Sequence, residues 1–145
     1  MSMLCAKSLS AQIALTTNQS AEVRLQRIKG FGWLGFKDAR RAVPALVYCL
    51  QDTNEEVAVR AARTLSVAEL EPPIVVPALT KCLQDKRVRV RTTAIQGLGY
   101  FHAGARSAVP ALVGLLRDTD PLIRELAADA LEVIEPGAVE KAVQR

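Results

Sequence analysis

A period of 33 residues constrains this chain more than any other feature. Ala42-Val43-Pro44-Ala45-Leu46 returns as Val75-Val76-Pro77-Ala78-Leu79 and again as Ala108-Val109-Pro110-Ala111-Leu112. The same spacing links Leu50, Leu83 and Leu116, then Asp52, Asp85 and Asp118. It continues through Val57, Val90 and Ile123, through Ala61, Ala94 and Ala127, and through Leu65, Leu98 and Leu131. A chain that repeats at this interval builds one supersecondary unit several times and stacks the copies.

Each unit reads as two helices. Val43, Leu46, Val47 and Leu50 recur at three- and four-residue spacing, one stripe of a first helix. The proline is expected in its first turn, where the missing N–H loses no partner. An Asp-led turn follows: Asp52-Thr53-Asn54, Asp85-Lys86-Arg87, Asp118-Thr119-Asp120. The second helix carries Val57, Ala61, Leu65 and Ala68, then Val90, Ala94, Leu98 and Phe101, then Ile123, Ala127, Leu131 and Ile134. Asp120 reads as an N-cap with Pro121 at the first helical position. A looser copy holds Val23-Arg24, Ile28, Phe31 and Leu34, with its first helix expected at about 3–16 around Leu9, Ile13 and Leu15. Glu135-Pro136-Gly137 ends the last unit.

The expected architecture is all-α: a right-handed α-solenoid of about four helix hairpins plus a short C-terminal capping helix. One domain spans 1–145, with repeats at about 3–41, 42–74, 75–107 and 108–137 and a cap at 138–145. Half the residues are hydrophobic but only 4% are aromatic, so Leu, Val and Ala must fill the core. First helices are expected on the convex side and second helices on the concave side.

The Val-Pro-Ala-Leu openings, the turn aspartates and the pairs Val23-Arg24, Val90-Arg91 and Ile123-Arg124 resemble HEAT repeats. More narrowly, they are similar to the short bacterial HEAT repeats of phycobilisome lyase-like proteins. The resemblance covers roughly residues 20–140. It implies a fold directly, and a function only broadly, since such repeats occur in scaffolds, chromophore lyase subunits, a hydroxylase and DNA glycosylase relatives. It also implies that each turn aspartate bridges to the arginine of the following repeat, as Asp52–Arg91 and Asp85–Arg124. Ala58 departs from the pattern, which expects arginine there. With Asn18 in the matching position of the first turn, that junction is expected to be the weaker one.

Chemistry-bearing motifs are sparse. Gly30-Phe31-Gly32-Trp33-Leu34-Gly35 matches G-x-G-x-x-G, yet it ends a helix, Asp38 comes too early for the acidic partner, and residues 52–57 belong to another helix turn. Gly97-Leu98-Gly99-Tyr100 occupies the same columns, so close helix approach explains these glycines and no cofactor is expected. The sole histidine, His102, has no neighbouring glutamate, which leaves no metal site and no nucleophile–base–orienter set. Cys5, Cys49 and Cys82 are odd in number without a CxxC, which fits free thiols in a reducing, cytoplasmic compartment. Cys49 and Cys82 share one column and read as core residues. The apolar run Ala42 to Leu50 is far short of the ~20 residues that cross a bilayer. No secretory signal is expected, because no basic stretch precedes the first apolar residues and Lys7 interrupts them. No catalytic residue is assigned.

Charge is more informative. Residues 1–117 hold 16 Lys/Arg against 8 Asp/Glu, while 118–145 hold 3 against 7. Exposed second-helix columns are expected to carry Lys29, then Arg60 and Arg63, then Arg87 and Arg89, with Glu125, Asp129 and Glu132 in the last unit. The concave face should therefore run from basic to acidic. Arg87 and Arg89 fall near the positive end of a helix dipole, beside Lys86, where cations are disfavoured unless an anion is bound. Glu55 and Glu56 have the ordinary dipole-favoured placement in a first turn. Trp33 and Tyr100 share a column and suit interface anchoring, with edge-of-core packing as the rival because that column also holds Val67 and Val133. The expected site is a partner-binding concave face of Lys29, Trp33, Arg60, Arg63, Arg87, Arg89, Gln96 and Tyr100. Its expected partner is a protein with an acidic surface, and nucleic acid ranks behind because the acidic last unit interrupts the basic face.

Overall fold

The computed structural model describes residues 20–31, 36–69 and 71–144. Among these residues the helices are α1 (Ala21–Phe31), α2 (Phe36–Cys49), α3 (Glu55–Ala68), α4 (Pro72–Cys82), α5 (Val88–Tyr100), α6 (Val109–Leu115), α7 (Pro121–Ile134) and α8 (Ala138–Val143). A 3₁₀ segment, His102–Ala108, leads into α6. The expected helix at about 3–16, Asn18, Cys5 and Trp33 lie outside the described residues.

Second helices α1, α3, α5 and α7 pack extensively on one another in series, whereas first helices α2 and α4 touch over far fewer residues. Close spacing on one side and splaying on the other curves the array, with second helices on the inner side. The matched columns point inward together: Val57, Ala61, Leu65, Val90, Ala94, Leu98, Ile123, Ala127 and Leu131 are all essentially inaccessible. Stacking is what buries them, since no single hairpin has a second apolar surface to offer.

Two helix starts differ from the sequence expectation. α2 begins at Phe36 and α4 at Pro72, so Pro44 and Pro77 lie inside their helices and only Pro110 sits in a first turn. Interior proline costs a backbone hydrogen bond. It is tolerated here because both interior prolines, Pro44 and Pro77, are exposed, so water can solvate the freed carbonyls. For α4 the start signal was the Pro72-Pro73 pair at its first two positions.

The turns explain the aspartate column. Asp52, Asp85 and Asp118 each accept a hydrogen bond on Oδ1 from the backbone N–H two residues on, at 2.8, 2.9 and 2.9 Å. These are Asx turns that reverse the chain between paired helices. The next helix is then capped by Asn54, accepting from Val57 N–H, and by Asp120, accepting from Leu122 N–H.

The arginine column works differently from what the family resemblance implies. Asp52 and Asp85 do not pair with Arg91 and Arg124. The Asp52 carboxylate is gripped by Arg24 of the preceding repeat, through Nε at 2.6 Å and Nη2 at 2.7 Å. Arg91 and Arg124 fold back onto their own turns, where Nη1 donates to the carbonyls of Asp85 and Lys86, and of Asp118 and Thr119. Ala58 leaves the equivalent carbonyls of Asp52 and Thr53 without that donor. Arg87 of the next repeat supplies it: Nη1 reaches the Asp52 carbonyl at 2.7 Å and the Thr53 carbonyl at 3.5 Å, while Nε and Nη2 clasp Asp85. That clasp holds the Asp85 carboxyl below its usual range.

Of the glycines expected to admit close helix approach, only Gly97 does so among those described. A side chain there would collide with Ser66 Oγ and crowd Leu79 Cδ1 at 3.3 Å, whereas Gly30 and Gly99 face open space.

Candidate interaction face

The candidate site is the exposed side of the second helices, built from positions seven and four residues apart. In α3 the stripe is Glu56, Arg60, Arg63 and Val67; in α5 it is Arg89, Gln96 and Tyr100; in α7 it is Leu122, Asp129 and Val133. The register between helices is fixed by Arg89, which pairs across to Glu56 at 2.9 Å and to Glu55 at 3.2 Å. A 33-residue offset is therefore also a neighbour relation in space, and the stripes align as rows that cross from repeat to repeat. One row reads Lys29, Arg63, Gln96, Asp129. The next reads Val67, Tyr100, Val133, with Trp33 in the same column but outside the described residues.

The second row corrects the edge-of-core reading. Val67 is 73% exposed, Tyr100 51% and Val133 48%, so this apolar column faces solvent. Sequence periodicity had placed Val67 and Val133 beside Tyr100; what it could not give was the direction in which that column points.

The first row is charged and open. Lys29, Arg63 and Asp129 are exposed, and none makes an ion pair with another described residue; Glu125 and Glu132 are exposed too, but in the columns of buried Val59 and Ser66, on the flank of α7 that faces away from α5. Arg60 has only a loose 3.9 Å contact with Glu56, and its Nε is shut away without a partner.

Arg87 and Arg89 stand apart from this set. Arg87 is the N-cap residue of α5, one position before its first turn, and its guanidinium is consumed by Asp85 and the Asp52 carbonyl. Arg89 is held by Glu55 and Glu56, whose placement in the first turn of α3 thus serves the neighbouring helix as well as their own dipole. The Arg89 hydrogen bond holds the Glu56 carboxyl below its usual range. Both arginines have their anions within the chain. The role of Glu55 and Glu56 as partners was legible only as the 33-residue offset from Glu56 to Arg89.

Other chemistry is thin among the described residues. No group of three or more His, Cys, Asp or Glu side chains among them is placed to hold a metal ion. No helix is long and apolar enough to cross a membrane. Cys49 and Cys82 are free, and burial pushes both thiols up to about 11, which leaves too little thiolate for nucleophilic work. A cleft of about 410 Å³ opens on the first-helix side between α2 and α4, lined by Val47, Leu50, Ile74, Ala78, Cys82 and Asp85 among others.

Paired helices repeated at a fixed register around one shared core define an α-solenoid repeat protein. Comparison with known families narrows this: the family model for HEAT repeats matches residues 10–99 and 76–145, and the chain belongs to that family. The fold is similar to the crystal structure of an engineered protein, with a TM-score of 0.67 at 24% identity, covering 94% of this chain and 68% of that one. A search of curated proteins finds no match. HEAT arrays generally serve as scaffolds for protein partners.

Proposed function

We propose that this chain is a non-catalytic interaction module that takes a protein partner on the face of its second helices. The observation that carries this is the exposed apolar column Val67–Tyr100–Val133 lying beside Lys29, Arg63 and Asp129, which make no ion pair with another described residue. An aromatic and two aliphatic side chains in a row offer the desolvated centre of an interface, and the flanking charges offer its rim. Lys29, Arg60, Arg63, Gln96 and Tyr100 form the core of the set, Trp33 extends it by column, and Arg87 and Arg89 support the scaffold beneath. The basic half favours an acidic partner surface. Nucleic acid fits less well, because Asp129 ends the same row and the exposed Glu125 and Glu132 flank it on α7. The free buried thiols accord with a reducing, cytoplasmic setting. The narrower likeness to phycobilisome lyase-like proteins rests on the repeat motif alone, and an absorbance titration with bilin and apo-phycobiliprotein tests it.

The test of the main reading is quantitative capture from host lysate by the immobilised chain, by an Arg60→Glu/Arg63→Glu variant, and by a first-helix control, Lys81→Glu. Specific partners should persist on the control and drop on the double variant. Equal recovery on all three would remove this face from consideration.

A further inference from the structure

We propose that the occupant of this face is a charge-ordered protein segment, acidic where it lies over α1 and α3, apolar at Tyr100, and basic where it lies over α7. This inference rests on the interaction-face reading above and adds the chemistry of the partner.

The array pairs charges between repeats wherever it can. Arg24 with Asp52, and Arg89 with Glu55 and Glu56, join neighbouring helices one repeat apart. On the exposed row the charges are sorted instead: Lys29 and Arg63 on the first two second helices, Asp129 on the last. Between them α5 presents Gln96 and Tyr100, which carry no charge, and Arg89, whose charge is taken up by Glu55 and Glu56. With helix axes about 8–10 Å apart, Arg63 and Asp129 stand about 20 Å from each other. That is more than twice the Debye length of about 8 Å at physiological ionic strength, so the two sets cannot neutralise one another. A single segment laid across the repeats can meet both. It needs about six residues if extended, or about 14 if helical, to span the distance. Its middle would rest on the row Val67, Tyr100, Val133. The inward curve of the second helices suits such a narrow segment better than the equally curved face of a second copy.

Three labelled peptides of equal length and identical apolar centre test this, with ends that are acidic and basic, acidic at both, or basic at both. By fluorescence anisotropy the mixed peptide should bind about tenfold more tightly than either uniform one. Arg63→Glu and Asp129→Lys should each weaken the mixed peptide by a similar factor. Combining both reversals with Lys29→Glu inverts the whole row and should restore binding, because the peptide can lie down in the opposite direction. If the uniformly acidic peptide binds as well as the mixed one, or Asp129→Lys changes nothing, the charge order is wrong. If Arg63→Glu still weakens the acidic peptide in that case, the interaction face itself stands. If no peptide binds, this inference falls, and the lysate comparison decides separately whether the face does. Sedimentation supplies the remaining outcome: a dimer dissociated by each single reversal and restored by their combination would make the occupant a second copy and overturn the segment.

Discussion

Arg87 ties two turns of adjacent repeats together, and Arg87→Ala measures what that is worth. The side chain makes three short bonds: two to the Asp85 carboxylate at 2.8 and 2.7 Å, and one to the Asp52 carbonyl at 2.7 Å. Hydrogen bonds involving charged groups contribute about 1.5–3 kcal/mol net when well sheltered. Here the side chains of Arg87 and Asp85 are 24% and 21% exposed, so solvent screens part of this. Asp85 also keeps the Arg87 backbone N–H at 2.9 Å and is not orphaned by the substitution. The expected loss is about 1.5–2.5 kcal/mol, which lowers Tm by about 4–8 °C for a chain of this size. Arg87→Lys should recover little, because an ammonium cannot clasp a carboxylate and reach a carbonyl together. The decisive comparison is Ala58→Arg. Alone it should bring no gain, since Ala58 is fully buried and its carbonyl partners are already served. In the Arg87→Ala background it should return about 1 kcal/mol by donating to the Asp52 and Thr53 carbonyls, as Arg91 and Arg124 do in their own turns. Urea denaturation of the four proteins gives the coupling directly. A loss below about 0.5 kcal/mol for Arg87→Ala, or the same effect of Ala58→Arg in both backgrounds, would refute the reasoning.

Two further outcomes follow from the packing and the charges. The Asp85 carboxyl lies below its unfolded value because Arg87 donates to it, so its contribution is complete above about pH 4 and disappears as pH falls through the lowered folded value. Stability measured against pH should therefore drop on the acid side, and less steeply in Arg87→Ala; coincident acid limbs would contradict this. Gly97→Ala should destabilise by about 1–3 kcal/mol through collision with Ser66 Oγ, outweighing the better helix propensity of alanine. In a Ser66→Ala background the same change should be close to neutral, and an undiminished cost there would place the strain elsewhere.

Where sequence reading succeeded, it did so through columns. Val57, Val90 and Ile123 are buried alike because each occupies the same turn of the same kind of helix, so one periodicity decides all three. The aspartates were visible for the same reason, although their Asx-turn role is a local backbone matter the spacing alone does not disclose. Pro44 misled because proline is a strong N-terminal signal, while its tolerance inside α2 depends on which side of the helix meets water. On the interaction face, Tyr100 was singled out by residue type, and Val67 and Val133 were set aside as ordinary packing. The three are equivalent in the array, and exposure makes them one surface.

The sequence by itself determined the repeat, the pairing of helices within it and the inward stripes, because these depend on spacing along one chain. The tertiary structure decided which partner each charged group found. Arg24 reaches forward to Asp52, Arg89 crosses to Glu55 and Glu56, and Arg87 does for the turn at Asp52 what an arginine at Ala58 would have done. A long side chain can serve its own turn, as Arg91 does six residues away, or an adjacent repeat, as Arg24 and Arg87 do 28 and 35 residues away. Only the helix spacing and the shape of the turns select between them.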